Sequence, residues 1–143
     1  MKRAGLWAAV VSVSCLLAAP ARANETEVSG AVAYFSESGA VMAATLGRFW
    51  SLPGIELGPR LGLLYVTNPN TAGIPLDLVA RIPLPGFYVE GQGGVWFFFS
   101  RGSVARFHIT GGAGINLGLV RIGAEGGYLT SGALIGGRVS FAF

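Results

Sequence analysis

The last twelve residues, Gly132–Phe143, read GALIGGRVSFAF and decide the fold. Side chains along a β-strand alternate between two faces. From Ala133 to Phe143, every second residue is apolar or glycine, and the residues between them include Arg138, the one charged residue of the stretch. This alternation predicts a strand with one apolar face and one face that carries a charge.

Turn-like segments rich in Gly, Pro, Ser and Asn divide the preceding chain into similar lengths. These segments lie at residues 36–39, 51–54, 68–71, 83–86, 100–103 and 116–118, and a seventh at 130–132 precedes the last strand. Seven turns predict eight strands, each long enough for the roughly 9–11 residues that a tilted membrane strand needs. Regular spacing of this kind is typical of all-β domains, both soluble and membrane-embedded.

In the third to eighth predicted strands, the charged residues all share one face. The third strand sets Glu56 and Arg60 against Leu61 and Leu63, and the later strands repeat the separation. Glycines lie between the charged residues, and no Lys occurs after residue 2. Small residues between long charged ones suit the crowded interior of an eight-stranded barrel. We therefore place the charges in the lumen and the apolar face in lipid.

The first two strands are less regular. Glu25 and Glu27 share a face with Ser29, whereas residues 41–50 are apolar on both faces except for Arg48. Aromatic residues group near the two ends of the strands, as expected for the two membrane interfaces. The predicted girdles are Phe49, Trp50, Phe87, Tyr88, Phe141 and Phe143 at one rim, and Tyr34, Phe35, Tyr65, Phe97, Phe98, Phe99, Phe107 and Tyr128 at the other.

The chain end resembles the closing strand of bacterial outer-membrane β-barrel proteins. These commonly end in Phe, preceded by apolar or aromatic residues at alternate positions, and Val139, Phe141 and Phe143 match this pattern. The family favours Gly five residues before the end, where this chain has Arg138 after Gly137. The resemblance covers residues 24–143 and rests on general features of the class.

This resemblance implies an all-β, eight-stranded antiparallel up-and-down transmembrane β-barrel of the OmpA/OmpX-like class, in the outer membrane of a Gram-negative cell. It also implies that the barrel assembly machinery reads the strand that ends at Phe143. Outer-membrane phospholipid and lipopolysaccharide are then the expected surroundings, and we expect a monomer.

Residues 1–23 have the pattern of a helical secretory signal peptide. Lys2 and Arg3 precede an apolar stretch at 4–19, and Ala21–Ala23 form a small-x-small cleavage pattern. The apolar stretch is shorter than the roughly 20 residues needed to span a bilayer as a helix. We therefore expect cleavage and export through the periplasm, leaving residues 24–143 as one barrel domain.

Two other interpretations of the N-terminal segment remain open. It can stay uncleaved as a membrane anchor, or Cys15 can be the lipid-modified residue of a lipoprotein. The residues before Cys15 lack the Leu and the small residue that a lipoprotein signal prefers.

The composition of residues 24–143 argues against several classes of function. This part has seven Arg, no Lys and seven acidic residues, so its formal net charge is zero and no nucleic-acid-binding surface is indicated. It also has no Cys and a single His, which predicts neither disulfides nor a metal or cofactor site. Only 12% of the whole chain is charged, against about 25% in a typical soluble domain.

Within the lumen, buried charges must be paired because an unpaired buried charge is very costly. We expect a structural network of ion pairs, and the alternative is a narrow polar pore beside bulky Trp96 and Phe98. The predicted pairs join Glu56, Asp77, Glu90 and Glu125 to Arg48, Arg60, Arg81, Arg106, Arg121 and Arg138.

His108 raises a third function. Some small outer-membrane barrels are lipid hydrolases with a His-x-Ser pair and a carboxylate partner. Here His108 is followed by Thr110 where Ser is expected, and Glu125 on the next strand is an available acid. Those sites face lipid, whereas the alternation places His108 and Thr110 in the lumen.

We therefore predict an integral outer-membrane protein with a structural or membrane-associated role and no enzymatic activity. The alternatives are a small porin, a lipid hydrolase that uses His108, and a soluble periplasmic ligand-binding barrel with its apolar face inward.

Overall fold

A computed structural model describes residues 23–100, 105–130 and 132–143. The predicted signal peptide lies outside the described residues, except that Ala23 begins the first strand. The eight predicted strands are confirmed, and they are β1 (Ala23–Phe35), β2 (Gly39–Leu52), β3 (Ile55–Thr67), β4 (Asn70–Leu84), β5 (Phe87–Phe98), β6 (Ala105–Leu117), β7 (Val120–Leu129) and β8 (Gly132–Ala142).

The strands form one closed antiparallel barrel in chain order. The last strand, β8, pairs with β1 from Glu27 opposite Ala142 to Phe35 opposite Leu134. Closure leaves no strand edge unpaired, which is the condition a sheet must meet in hydrocarbon. No helix in the described part of the chain is long and apolar enough to cross a membrane.

The two ends of the barrel differ in their connections. At the terminal rim, where β1 begins and β8 ends, the turns are the two-residue pairs 53–54, 85–86 and 118–119. Each of these turns contains a Gly at positive φ, namely Gly54, Gly86 and Gly118. At the opposite end, the loop rim, the described residues between the strands are 36–38, 68–69, 99–100 and 130.

The predicted assignment of the two faces is confirmed. Leu63 and Leu78 are each 65% exposed on the outer surface, whereas Arg60 and Arg81 are each 1% exposed inside the barrel. Glu27 in β1 is fully buried on the same inward face. The barrel therefore has an apolar exterior and a charged lumen, the reverse of a soluble barrel.

Two details of the prediction are wrong. Four residues assigned to the aromatic girdles, Phe35, Phe49, Tyr88 and Phe98, are buried in the lumen instead. Arg48, predicted to pair in the lumen, lies opposite Thr26 at an outward-facing position of β2. Grouping by distance from the strand end ignores the face, and alternate residues at one rim point in opposite directions.

Candidate functional site

The lumen has two layers. The charged network runs from the terminal rim to the middle of the barrel and consists of Glu25, Glu27, Glu56, Arg60, Arg81, Glu90, Gln92, Arg121, Glu125 and Arg138. The apolar plug fills the end nearer the loop rim and consists of Ala33, Phe35, Val41, Leu64, Val66, Trp96, Phe98, Leu129 and Leu134.

Arg60 on β3 is the centre of the charged network. Its Nη2 lies 2.8 Å from Glu27 Oε1, and its Nη1 lies 3.1 Å from Glu90 Oε1. Nη1 also donates a hydrogen bond of 2.7 Å to Gln92 Oε1. A single guanidinium therefore joins β1, β3 and β5 across the lumen, since its planar fork presents several donors at fixed angles.

Arg81 on β4 shares the same two carboxylates. Its Nη2 lies 2.8 Å from Glu27 Oε2 and 2.6 Å from Glu90 Oε2. The guanidinium carbon lies 4.6 Å from the ring centre of Phe49 and 5.2 Å from that of Tyr88. The alternation of the strands places these two aromatic residues in the lumen, where they cover the cation by cation–π contact.

The other two arginines of the network extend it around the wall. Arg121 on β7 pairs with Glu25, and its Nη1 lies 3.1 Å from Glu27 Oε2. Arg138 on β8 lies 3.1 Å from Glu125 and also donates to Ser29. Arg60, Arg81, Arg121 and Arg138 are therefore confirmed as buried ion-pair residues, but their partners include Glu25 and Glu27, which were not among the predicted acids.

Arg106 occupies a different position from the other predicted lumen arginines. It is 36% exposed at the loop rim, and its Nη1 lies 3.8 Å from Glu37. It also helps to line an open cavity of about 70 Å³ above the plug, together with Phe35, Ser38, Val66, Pro69, Thr71, Phe98, Ser100 and Leu129.

Inward-facing glycines create the space for these side chains. A Cβ on Gly47 would lie 2.8 Å from the ring of Phe49, and a Cβ on Gly114 would lie 2.6 Å from the Tyr88 hydroxyl. Real Cβ atoms essentially never make contacts under 3.0 Å. At Gly47 and Gly114 the missing side chain therefore leaves room for a large aromatic neighbour, whereas at Gly58 and Gly62 a Cβ would meet the backbone of β2.

His108 pairs with an acid other than the predicted one. Its Nε2 lies 2.5 Å from Asp77 Oδ1, whereas Glu125 bonds Arg138 and Gln92. Asp77 on β4 reaches β6 by crossing β5 at Gly94, which is in register with both Asp77 and His108. The prediction of Glu125 as the partner is wrong because a residue two strands away can reach across a glycine.

The pair has no hydrolase geometry. The side chain of His108 is fully buried and that of Asp77 is 4% exposed. Thr110, the candidate nucleophile, faces the lumen as predicted, but its Oγ1 has no hydrogen bond to His108. No group of three or more His, Cys, Asp or Glu residues placed to hold a metal ion occurs within residues 23–100, 105–130 and 132–143.

We predict that Gly94→Ala destabilises the refolded barrel by about 1–3 kcal/mol, as overpacking of a filled interior typically does. The new Cβ would lie 2.5 Å from Asp77 Oδ1 and would also meet the backbone of β4, so it would separate Asp77 from His108. The measurement is the urea midpoint of the barrel in detergent micelles. Gly93→Ala is the matched control, because its nearest atom would be 3.7 Å away on the outer face. Equal effects of both variants would contradict this account.

Comparison with known proteins adds information on the fold. The sequence matches no protein-family model, and no curated protein matches it significantly. A structure from the de novo design of transmembrane β-barrels matches with a TM-score of 0.66 and 12% identity, over 85% of this chain and 98% of that one. The N-terminal β-barrel domain of Pseudomonas aeruginosa OprF matches with a TM-score of 0.61 and 18% identity, over 84% and 98%.

The chain has the fold of eight-stranded transmembrane β-barrels. Neisserial surface protein A also matches this barrel, with a TM-score of 0.50 and 9% identity over 83% of this chain and 96% of that one. The predicted fold class and the resemblance to small transmembrane barrels are confirmed. Sequence identities this low establish similarity of fold alone. The role of the barrel must therefore be argued from its lumen.

Proposed function

We propose that the protein is an integral outer-membrane barrel with a structural role, without enzymatic activity, and closed to ions. The observation that carries this proposal is the apolar plug across the lumen. Phe35, Leu129 and Leu134 from β1, β7 and β8 pack there with Trp96 and Phe98 from β5, all buried. An ion that crosses this layer would lose its hydration without gaining a polar ligand.

The proposed location and partners rest on the exterior and on the last strand. The apolar outer face suits phospholipid and lipopolysaccharide, and β8 has the alternating apolar pattern of strands that the barrel assembly machinery reads. Bacterial barrels have short periplasmic turns and longer external loops. All three turns at the terminal rim have two residues, whereas the loop rim includes the longer separations 36–38 and 99–104, so the terminal rim is the better candidate for the periplasmic side. We further propose export through the periplasm and a monomeric barrel.

A small porin is the second candidate, because the charged network would attract water if the plug were absent. The plug argues against open conduction, and so do the four arginines of the charged network, whose side chains project into the lumen. A lipid hydrolase has less support because His108 and Asp77 are buried away from the lipid face.

We predict that the protein gives no discrete conductance steps in a planar lipid bilayer. The double variant Phe35→Ala/Phe98→Ala should give such steps, because it removes two rings of the plug and lets water reach the charged network. Conduction by the unmodified barrel would contradict the proposal and favour a porin.

The matched control for this experiment is Phe99→Ala/Phe107→Ala. It removes two rings of the same size from the outer surface near the loop rim, where the side chains are 64% and 72% exposed. Steps from the control would mean that loss of wall packing, rather than loss of the plug, causes leakage.

A further inference from the structure

Four buried polar atoms among the described residues have no hydrogen-bond partner from the protein. They are Arg60 Nε, Trp96 Nε1, His108 Nδ1 and Thr110 Oγ1. Each of these residues is at most 6% exposed. Buried polar groups are nearly always hydrogen-bonded, so four exceptions in one small lumen require a physical explanation.

The four atoms belong to one stretch of the lumen. The rings of Trp96 and His108 are 5.0 Å apart between centroids. Thr110 follows His108 on the same face of β6 and is in register with Gln92 on β5. Gln92 in turn accepts a hydrogen bond from Arg60. This stretch lies where the charged network ends and the apolar plug begins.

Two of these groups cannot satisfy each other, and the other two are held by their neighbours. Arg60 Nε and Trp96 Nε1 are donors only, and neither can accept from the other. His108 Nε2 is held by Asp77, which fixes the ring and leaves Nδ1 pointing elsewhere. The Thr110 methyl lies 2.8 Å from where a Cβ on Gly127 would be, so the methyl faces β7 and the hydroxyl turns from it.

We propose that this stretch is a hydration site, in which ordered water binds His108 Nδ1, Thr110 Oγ1, Trp96 Nε1 and Arg60 Nε. Water suits this mixed set because it donates two hydrogen bonds and accepts two, and buried waters typically make about three. The hydration site then reaches the Trp96 indole at the inner edge of the plug, and the rest of the plug separates this water from the loop rim. The hydration site goes beyond the proposed function and does not depend on whether the barrel conducts.

The substitution Thr110→Val distinguishes a hydrated site from a dry one. Val has nearly the same shape and forms strands equally well, but it lacks the hydroxyl. If water binds the hydroxyl, its removal breaks a hydrogen bond and the urea midpoint of the refolded barrel falls. If the hydroxyl is unsatisfied, its removal relieves a penalty and the midpoint rises. A fall supports the proposal, and a rise or no change overturns it.

Thr45→Val calibrates this measurement. The Thr45 hydroxyl lies 2.6 Å from Ser29 Oγ, so this variant loses a protein hydrogen bond at another buried position of the lumen. We expect Thr110→Val to lower the midpoint in the same direction as Thr45→Val.

A crystal structure of the unmodified protein, at a resolution that shows ordered water, gives an independent test. It applies even if neither variant refolds. We expect density for water within about 3.2 Å of His108 Nδ1 and Thr110 Oγ1, the ordinary hydrogen-bond range. Side chains that pair these atoms with protein groups, with no water density between them, would overturn the proposal.

Discussion

Replacing Arg60 with Met is expected to destabilise the refolded barrel by about 3–5 kcal/mol, the usual cost of removing one partner from a buried ion pair. Arg60 contacts Glu27 and Glu90, which are 0% and 8% exposed by side chain. Arg81 also contacts both carboxylates and Arg121 contacts Glu27, but these two cations are shared with Glu25 and Glu56 as well. The variant therefore leaves an uncompensated charge in the lumen.

The measurement is urea unfolding of the barrel from detergent micelles, followed by the change in gel mobility between unheated and boiled samples. Arg106→Met is the matched control, because it removes an arginine that is 36% exposed and 3.8 Å from its acid. Exposed pairs of this kind contribute about 0–1 kcal/mol. Similar losses from both variants would mean that the charged network is not the main stabilising feature of the lumen.

A second substitution distinguishes two causes of the stability loss in Arg60→Met, namely an unbalanced charge and the loss of side-chain packing. The double variant Arg60→Met/Glu90→Gln removes one acid together with the cation, while Arg81 still contacts Glu27. We expect it to recover part of the stability lost in Arg60→Met. Failure to recover any would mean that Arg60 acts through shape and hydrogen bonds instead of charge.

The architecture could be predicted from the sequence because one rule governs it. A residue's position in the strand fixes its face, so the exposure of Leu63 and the burial of Arg60 follow from their parity. The fully buried Phe35 shares the parity of Ala31 and Ala33 in β1. Applying the same rule at the rims would have placed this ring in the lumen as well.

The individual pairs in the lumen could not be predicted in this way. The Asp77–His108 contact joins β4 to β6, and it depends on Gly94 having no side chain where the carboxylate crosses. Barrel curvature brings the inward side chains of several strands close to one axis. The separation of two strands along the sheet therefore does not determine which side chains form a pair. Glu125 was the nearer acid by strand order, yet Arg138 on the adjacent strand engages it.

Replacing Leu78 with Arg is also expected to lower the free energy of unfolding strongly. This substitution tests directly whether the barrel spans a membrane. Leu78 is 65% exposed near the middle of β4. An arginine at the bilayer midplane on the lipid face of a barrel costs about 2–4 kcal/mol, falling to about 0–1 kcal/mol near the interfaces. The free energy of unfolding from lipid vesicles should therefore drop markedly.

Leu119→Arg is the matched control for this prediction. Leu119 is 69% exposed, about as much as Leu78, but it lies in the turn between β7 and β6 at the terminal rim. A large loss for Leu78→Arg and a small loss for Leu119→Arg would show that the middle of the outer surface contacts hydrocarbon. In a soluble barrel both positions would face water, and both arginines would be tolerated within about 0.5 kcal/mol. Equal, small effects would therefore contradict the membrane-spanning assignment, because depth in the bilayer is the property that distinguishes two otherwise similar leucines.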